Sequence, residues 1–151
     1  WIELPLASNE NVLIWSEAMR VGIDAVDKDH QVLISLLNKL TGRSVEELEI
    51  NQVIDELIDY TRYHFNREET IMEACLYPDI KRHQDNHRTL AMEVNGLANN
   101  WHKNRDPKLL SQLHRFLSDW LFDHILNEDT KISSYANGKR EEIRIALENL
   151  N

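Results

Sequence analysis

The stretch from Ile80 to Trp101 limits this chain more than any other. Ile80, His83, His87, Leu90, Val94, Leu97 and Trp101 recur at alternating intervals of three and four residues. That is the period of one inward face of a helix in a bundle. Two of these seam positions are histidines where leucine is expected. A buried polar group is costly unless it finds a partner, so the seam demands one.

The same intrusion recurs along the chain. Ile54, Leu57, Thr61, His64, Glu68 and Ile71 or Met72 fall on one helical stripe. Leu110, Leu113, Leu117, Trp120 or Leu121 and His124 fall on another, and His30 precedes Leu33, Ile34, Leu37 and Leu40 on a fourth. The segments "DAVDKDHQVLISLLNKLTG" (Asp24 to the stop at Gly42), Leu48 to Cys75, Asp79 to His102 and Pro107 to Asn137-Gly138 each predict a helix. Glycine and proline number only 4 and 3 in 151 residues, which fits an all-α chain with one core. Short connections predict an up-and-down antiparallel four-helix bundle. Residues 1–23, with Pro5 and Gly22, read as an arm across the domain.

Five histidines on four inward stripes are more than isolated core imidazoles explain. A shared metal site satisfies them together. His83 and His87 are spaced i, i+4, and His64 and Glu68 repeat that spacing with a carboxylate. Glu69, at i+5, leaves the stripe. Five imidazoles exceed what one ion takes, so two ions are expected. Imidazole with carboxylate and no thiolate suits iron or manganese, with zinc also open. If two six-coordinate ions share two bridging carboxylates and one bridging oxide or hydroxide, five histidines leave a single position vacant for a small ligand such as O2.

The stretch "HILNED" is harder to read. Glu128 stands four residues after His124 and Asp129 five, so regular helical spacing favours Glu128. A π-bulge would bring Asp129 round instead.

The residues His30, "HFNREE" (His64 to Glu69), "HQDNH" (His83 to His87) and "HILNED" (His124 to Asp129) resemble hemerythrins, especially the bacterial branch. "VGIDAVDKDH", "YP" after the second motif and "WLFDHI" strengthen the likeness, which spans roughly residues 13 to 137. The resemblance implies a non-haem di-iron centre with a bridging oxo or hydroxo group. In that pattern His83, His87 and His124 hold one iron, His30 and His64 hold the other, and Glu68 and Asp129 bridge. O2 would bind at the open position of the two-histidine iron, with azide and nitric oxide as further small ligands. The pattern thus selects Asp129 and turns Glu128 to solvent or a basic neighbour.

Leu121, Phe65, Trp120 and Ile125 lie beside the ligands and are expected to seal the O2 pocket. Asp29 stands where Gln or Glu is more familiar. It is expected to be a solvated acid, or failing that to tune His30. His102 and His114 fall outside the ligand spacings and are expected at the surface, and Cys75 in the core.

The remaining expectations concern role. A net charge of -9 argues against nucleic acid and anionic membranes. No apolar run is long enough to span a membrane, and the single Cys75 fits a reducing, cytoplasmic setting. A non-enzymatic O2 or redox sensor is expected, with an O2 carrier or store as the alternative. The chain begins with Trp1, which suggests a piece of a longer protein. Residues 1–137 would form the di-iron domain. Residues 138–151, with Ile143, Leu147 and Leu150 on one stripe, would form either a helix packed on its own bundle or a linker to an output domain after Asn151.

Overall fold

The computed structural model describes residues 13–40 and 47–150. Gly42 and the first twelve residues of the arm lie outside them. The long helices are α1 (Asp24–Lys39), α2 (Glu47–Ala74), α3 (Ile80–Asn104) and α4 (Pro107–Asn127). A short α5 (Ser133–Ala136) and α6 (Arg140–Leu150) follow, with 3-10 turns at Asp129–Ile132 and Asn137–Lys139. Each long helix packs on the next, and α4 returns to α1, which closes an all-α four-helix bundle.

Local chemistry sets the corners. At the end of α2, Leu76 takes a left-handed φ of 59°. Tyr77 N–H donates to the Met72 carbonyl at 2.9 Å and Leu76 N–H to Glu73 at 3.3 Å. This is the paired bonding of a Schellman stop. At the end of α3, Arg105 has φ 55° and its N–H donates to the Trp101 carbonyl at 2.8 Å. Asp106 then caps α4 by accepting from Lys108 N–H at 3.0 Å, with Pro107 in the first turn.

The described part of the arm is tied to α1. Asn38 Nδ2 donates to the Leu13 carbonyl at 2.8 Å, and Leu13 N–H donates back to Asn38 Oδ1 at 3.0 Å. Asp27 accepts from Val21 N–H at 2.7 Å and from Gly22 N–H at 3.1 Å. The second approach uses a φ of 89° at Gly22, which favours glycine.

The apolar interior falls into two clusters. One holds Leu33, Ile34, Leu37, Ile54, Leu57, Phe65, Leu90, Val94, Leu113, Leu117, Leu121 and Ile125. The other holds Val21, Val26, Ile71, Met72, Cys75, Tyr77, Ile132, Ala136 and Ile143. On α1, Val26 belongs to one and Leu33 to the other, with His30 between. On α2, His64 and Glu68 precede Ile71. A polar layer therefore crosses the bundle between two apolar halves.

Helix α6 lies against α2, with Ile143 buried and Leu147 packed beside it. Ile143 and Leu147 of the stripe read in the sequence thus rest on this bundle.

Three expectations need correction. His114 is buried, with 7 % exposure, because it shares the inward side of α4 with Leu117 and Leu121. Burial pushes its imidazole below the ordinary value. There is no π-bulge between His124 and Asp129. Helix α4 stops at Asn127, and Asp129 opens a tighter 3-10 turn. Nor is Asp29 solvated, as its surroundings below show. His102 is half-exposed, as expected, with Asp55 at 3.9 Å, and Cys75 is buried.

Candidate metal centre

All seven predicted ligands are buried and converge in the polar layer. They form two overlapping groups whose donor atoms lie within 4.8 Å of one another. One group is Glu68, His83, His87, His124 and Asp129; the other is His30, His64, Glu68 and Asp129. Both carboxylates belong to both groups, and each divides its two oxygens between them.

In the five-donor group, Glu68 Oε1 lies 2.7 Å from His83 Nε2, 3.0 Å from His87 Nε2 and 3.8 Å from His124 Nε2. Asp129 Oδ1 lies 3.0 Å from both His83 Nε2 and His124 Nε2. His124 Nε2 is 3.0 Å from His83 Nε2 and 3.2 Å from His87 Nε2. In the four-donor group, Glu68 Oε2 lies 3.3 Å from His64 Nε2 and 3.7 Å from His30 Nε2. Asp129 Oδ2 lies 2.9 Å from His30 Nε2.

These spacings fit cations. With metal–ligand bonds of about 2.1 Å, adjacent corners of an octahedron stand about 3.0 Å apart and opposite corners about 4.2 Å. The five-donor group repeats that pattern, with His124 Nε2 and Glu68 Oε1 as an opposed pair. The hydrogen bonding agrees. Both Asp129 oxygens, Glu68 Oε2 and His30 Nε2 are fully buried and lack a hydrogen bond of acceptable geometry. Groups that crowd together without bonding one another are what an intervening ion satisfies.

The electrostatics of the bare side chains point the same way. Burial alone would lower His64, but the carboxylates of Asp29 and Glu68 on either side push it up to about 10. Burial opposes the same rise at His83, to about 9, and at His124, to about 10, where Asp129 and Glu68 prevail. Burial would likewise raise Glu68, yet the crowding imidazoles of His124, His30 and His64 hold it well below the carboxylate range. Two buried anions thus demand positive charge from protons or metal.

Outer partners orient some of the ligands. Asp29 Oδ2 lies 3.0 Å from His64 Nδ1, and Asp29 Oδ1 accepts from the Tyr60 hydroxyl at 2.7 Å. Asp29 therefore backs His64 and not His30, the histidine beside it in sequence. Glu69 Oε2 lies 2.9 Å from His87 Nδ1. Glu69 leaves the inward stripe, and an off-stripe acid is well placed to reach the outer nitrogen of a histidine on the next helix. Tyr60 and Arg67, which also face Asp29, carried no signal in the spacing.

Of the expected pocket residues, Phe65 stacks on His87 at 3.7 Å between ring centres, and Trp120 stacks on His124 at 4.2 Å. These two rings cover the five-donor half. Leu121 and Ile125 are buried in the adjoining apolar cluster. Glu128 stays off the centre and accepts from Arg82 at 2.7 Å. That is the basic neighbour expected for it.

The family model described as "Hemerythrin HHE cation binding domain" matches residues 21–136. The chain belongs to the hemerythrin family. Among similar proteins, a bacteriohemerythrin of Stenotrophomonas maltophilia is 33% identical over 120 residues, covering 78% of this chain and 77% of that relative. A bacteriohemerythrin of Methylococcus capsulatus is 30% identical over 121 residues, covering 78% and 92%. A crystal structure of wild-type hemerythrin superposes with a TM-score of 0.75 at 28% identity, covering 83% of this chain and 98% of that one. The hemerythrin match spans all seven converging side chains, and no described helix is long and apolar enough to cross a membrane.

Proposed function

We propose that this hemerythrin binds O2 reversibly at a non-haem di-iron centre. His83, His87 and His124 would hold one iron, His30 and His64 the other, with Glu68, Asp129 and an oxo or hydroxo group bridging. The observation that carries this reading is the asymmetry of the two donor groups. Five side-chain donors leave one corner of an octahedron, which a shared bridge would fill. Four leave two corners, so one remains after the same bridge. The two ferrous ions would together supply the two electrons that hold O2, one from each, and would recover them on release.

The side chains around the centre suit binding without turnover. Asp29 orients His64, the rings of Phe65 and Trp120 cover His87 and His124, and Leu121 and Ile125 add apolar bulk that excludes water. We take the centre to be non-enzymatic, and turnover of peroxide or nitric oxide at physiological rates would overturn that. Azide and nitric oxide would bind as ligands at the same open corner. The buried, unpaired Cys75 supports a cytoplasmic setting.

Iron analysis should find two irons per chain. Anaerobically reduced protein should then take up O2 with an absorption change that reverses on degassing. One zinc per chain, or an irreversible change, would sink the reading.

A sensor and a carrier would share this chemistry. The packing of Ile143 and Leu147 on the bundle gives that part of the α6 stripe a partner within this domain, so the choice between the two rests on oxidation rate. An oxy form that lasts hours in air supports carriage; oxidation within minutes supports sensing.

A further inference from the structure

Two candidate ligands, His64 and His87, each have a carboxylate at the outer nitrogen, but the two carboxylates are held differently. Glu69 is 28% exposed at its side chain, whereas Asp29 is 3% exposed. Asp29 has two partners besides His64. The Tyr60 hydroxyl donates to Oδ1 at 2.7 Å, and Arg67 Nε stands 3.1 Å from Oδ2. Arg67 is itself fixed. Its guanidinium lies 4.6 Å over the ring of Tyr63 and donates to the Tyr63 hydroxyl.

We propose that Arg67 is a positioning residue for the four-donor metal position, acting through Asp29 and His64 to set how strongly that imidazole donates to its metal. The inference rests on the two-metal reading. A carboxylate that accepts Nδ1–H from a ligating imidazole fixes the tautomer and raises ligand basicity. Left alone, a buried Asp29 would press its full charge on His64. The guanidinium, an ion pair at 3.1 Å and not a hydrogen bond, draws part of that charge away through its field. Arg67 and Asp29 therefore pull the centre in opposite directions. Loss of Arg67 makes His64 a stronger donor and favours the oxidised metal. Loss of the Asp29 charge makes it a weaker donor and favours the reduced one.

This opposition can be read in the full chain with Arg67→Met, Asp29→Asn and the charge-retaining Arg67→Lys. The reduction potential of the iron-loaded protein should fall in Arg67→Met, rise in Asp29→Asn and stay near the parent value in Arg67→Lys. Cobalt titration should show one of two sites weakened about tenfold to hundredfold in Asp29→Asn, with the other unchanged. Nitrogen NMR of the zinc-loaded protein should show His64 protonated at Nδ1 in the parent and in Arg67→Met, and lose that signal's downfield position in Asp29→Asn. If Arg67→Met fails to fold, Arg67→Gln removes the same charge with a closer shape. Parent protein that binds fewer than two ions overturns the two-metal reading and this inference with it. Two ions bound, but potentials that move the same way or not at all, overturn the role of Arg67 alone.

Discussion

The two halves of the centre share Glu68 and Asp129 yet differ in everything else. The half built on His83, His87 and His124 draws its histidines from two helices, α3 and α4, and lies under the stacked rings of Phe65 and Trp120. The half built on His30 and His64 has one histidine each from α1 and α2 and is backed by the buried Asp29. The first is nearly saturated by the protein, and the second is left short. On the proposed two-metal reading, their difference teaches that one shared pair of carboxylates would serve a structural ion and a ligand-binding ion at once. The number of imidazoles decides which is which.

The largest expected effect comes from breaking the shared part. Asp129→Ala should abolish both sites and lower the stability of the metal-loaded protein by about 3–5 kcal/mol, because it strands buried partners. Metal analysis with denaturant unfolding checks this. Removing one half should separate them. His124→Ala should cost the five-donor ion and much of the metal-linked stability, whereas His30→Ala should keep one ion per chain and lose O2 uptake. Equal losses in the two variants would erase the functional distinction between the halves.

Acid should act on both halves. In the metal-free protein the imidazoles of His64, His83 and His124 are raised to about 10, 9 and 10, so they carry protons at neutral pH. Metal must displace those protons, so apparent affinity should climb with pH, about tenfold per unit for each proton released. A competition titration at pH 6 and 8 checks the sign. Without metal the dependence reverses. A raised histidine stabilises the fold fully below its unfolded value of 6.5, and that contribution fades as pH rises through about 9 to 10. Chemical unfolding of the metal-free protein at pH 6 and 10 should show the loss.

A smaller effect should fall outside both halves. Ile143→Ala should cost about 2–4 kcal/mol by opening the packing of α6 on α2, while two ions remain. The smallest concerns the neighbour of the bridge. Glu128→Gln removes only an exposed pair with Arg82 and should leave metal content and the unfolding midpoint unchanged.

The contrast between Asp129 and Glu128 shows how far sequence reaches. Helical periodicity places His30, His64, Glu68, His83, His87 and His124 on inward faces, because burial obeys the helix period. It cannot choose Asp129, because α4 ends before that residue and the period ends with it. The family pattern points to Asp129, which stands among the converging donors, and a helix end followed by a 3-10 turn, not a π-bulge, brings it there. The outer partners were illegible for another reason. Asp29 of α1 reaches His64 of α2, and Glu69 of α2 reaches His87 of α3. Such contacts depend on how neighbouring helices are set against each other, which spacing within one helix does not encode. Ligand spacing does not foretell the burial of His114, which turns inward as a core position beside Leu117 and Leu121.

The polar layer between the two apolar clusters has a thermodynamic consequence. Residues above and below it share few apolar neighbours, so on the proposed reading bound ions would be the rivet that lets the halves melt as one. A hemerythrin starved of iron should open end by end, and amide exchange should then report separate protection for the Leu57–Leu117 side and the Ile71–Ile143 side. Iron supply would be written into the cooperativity of the fold before any O2 arrives.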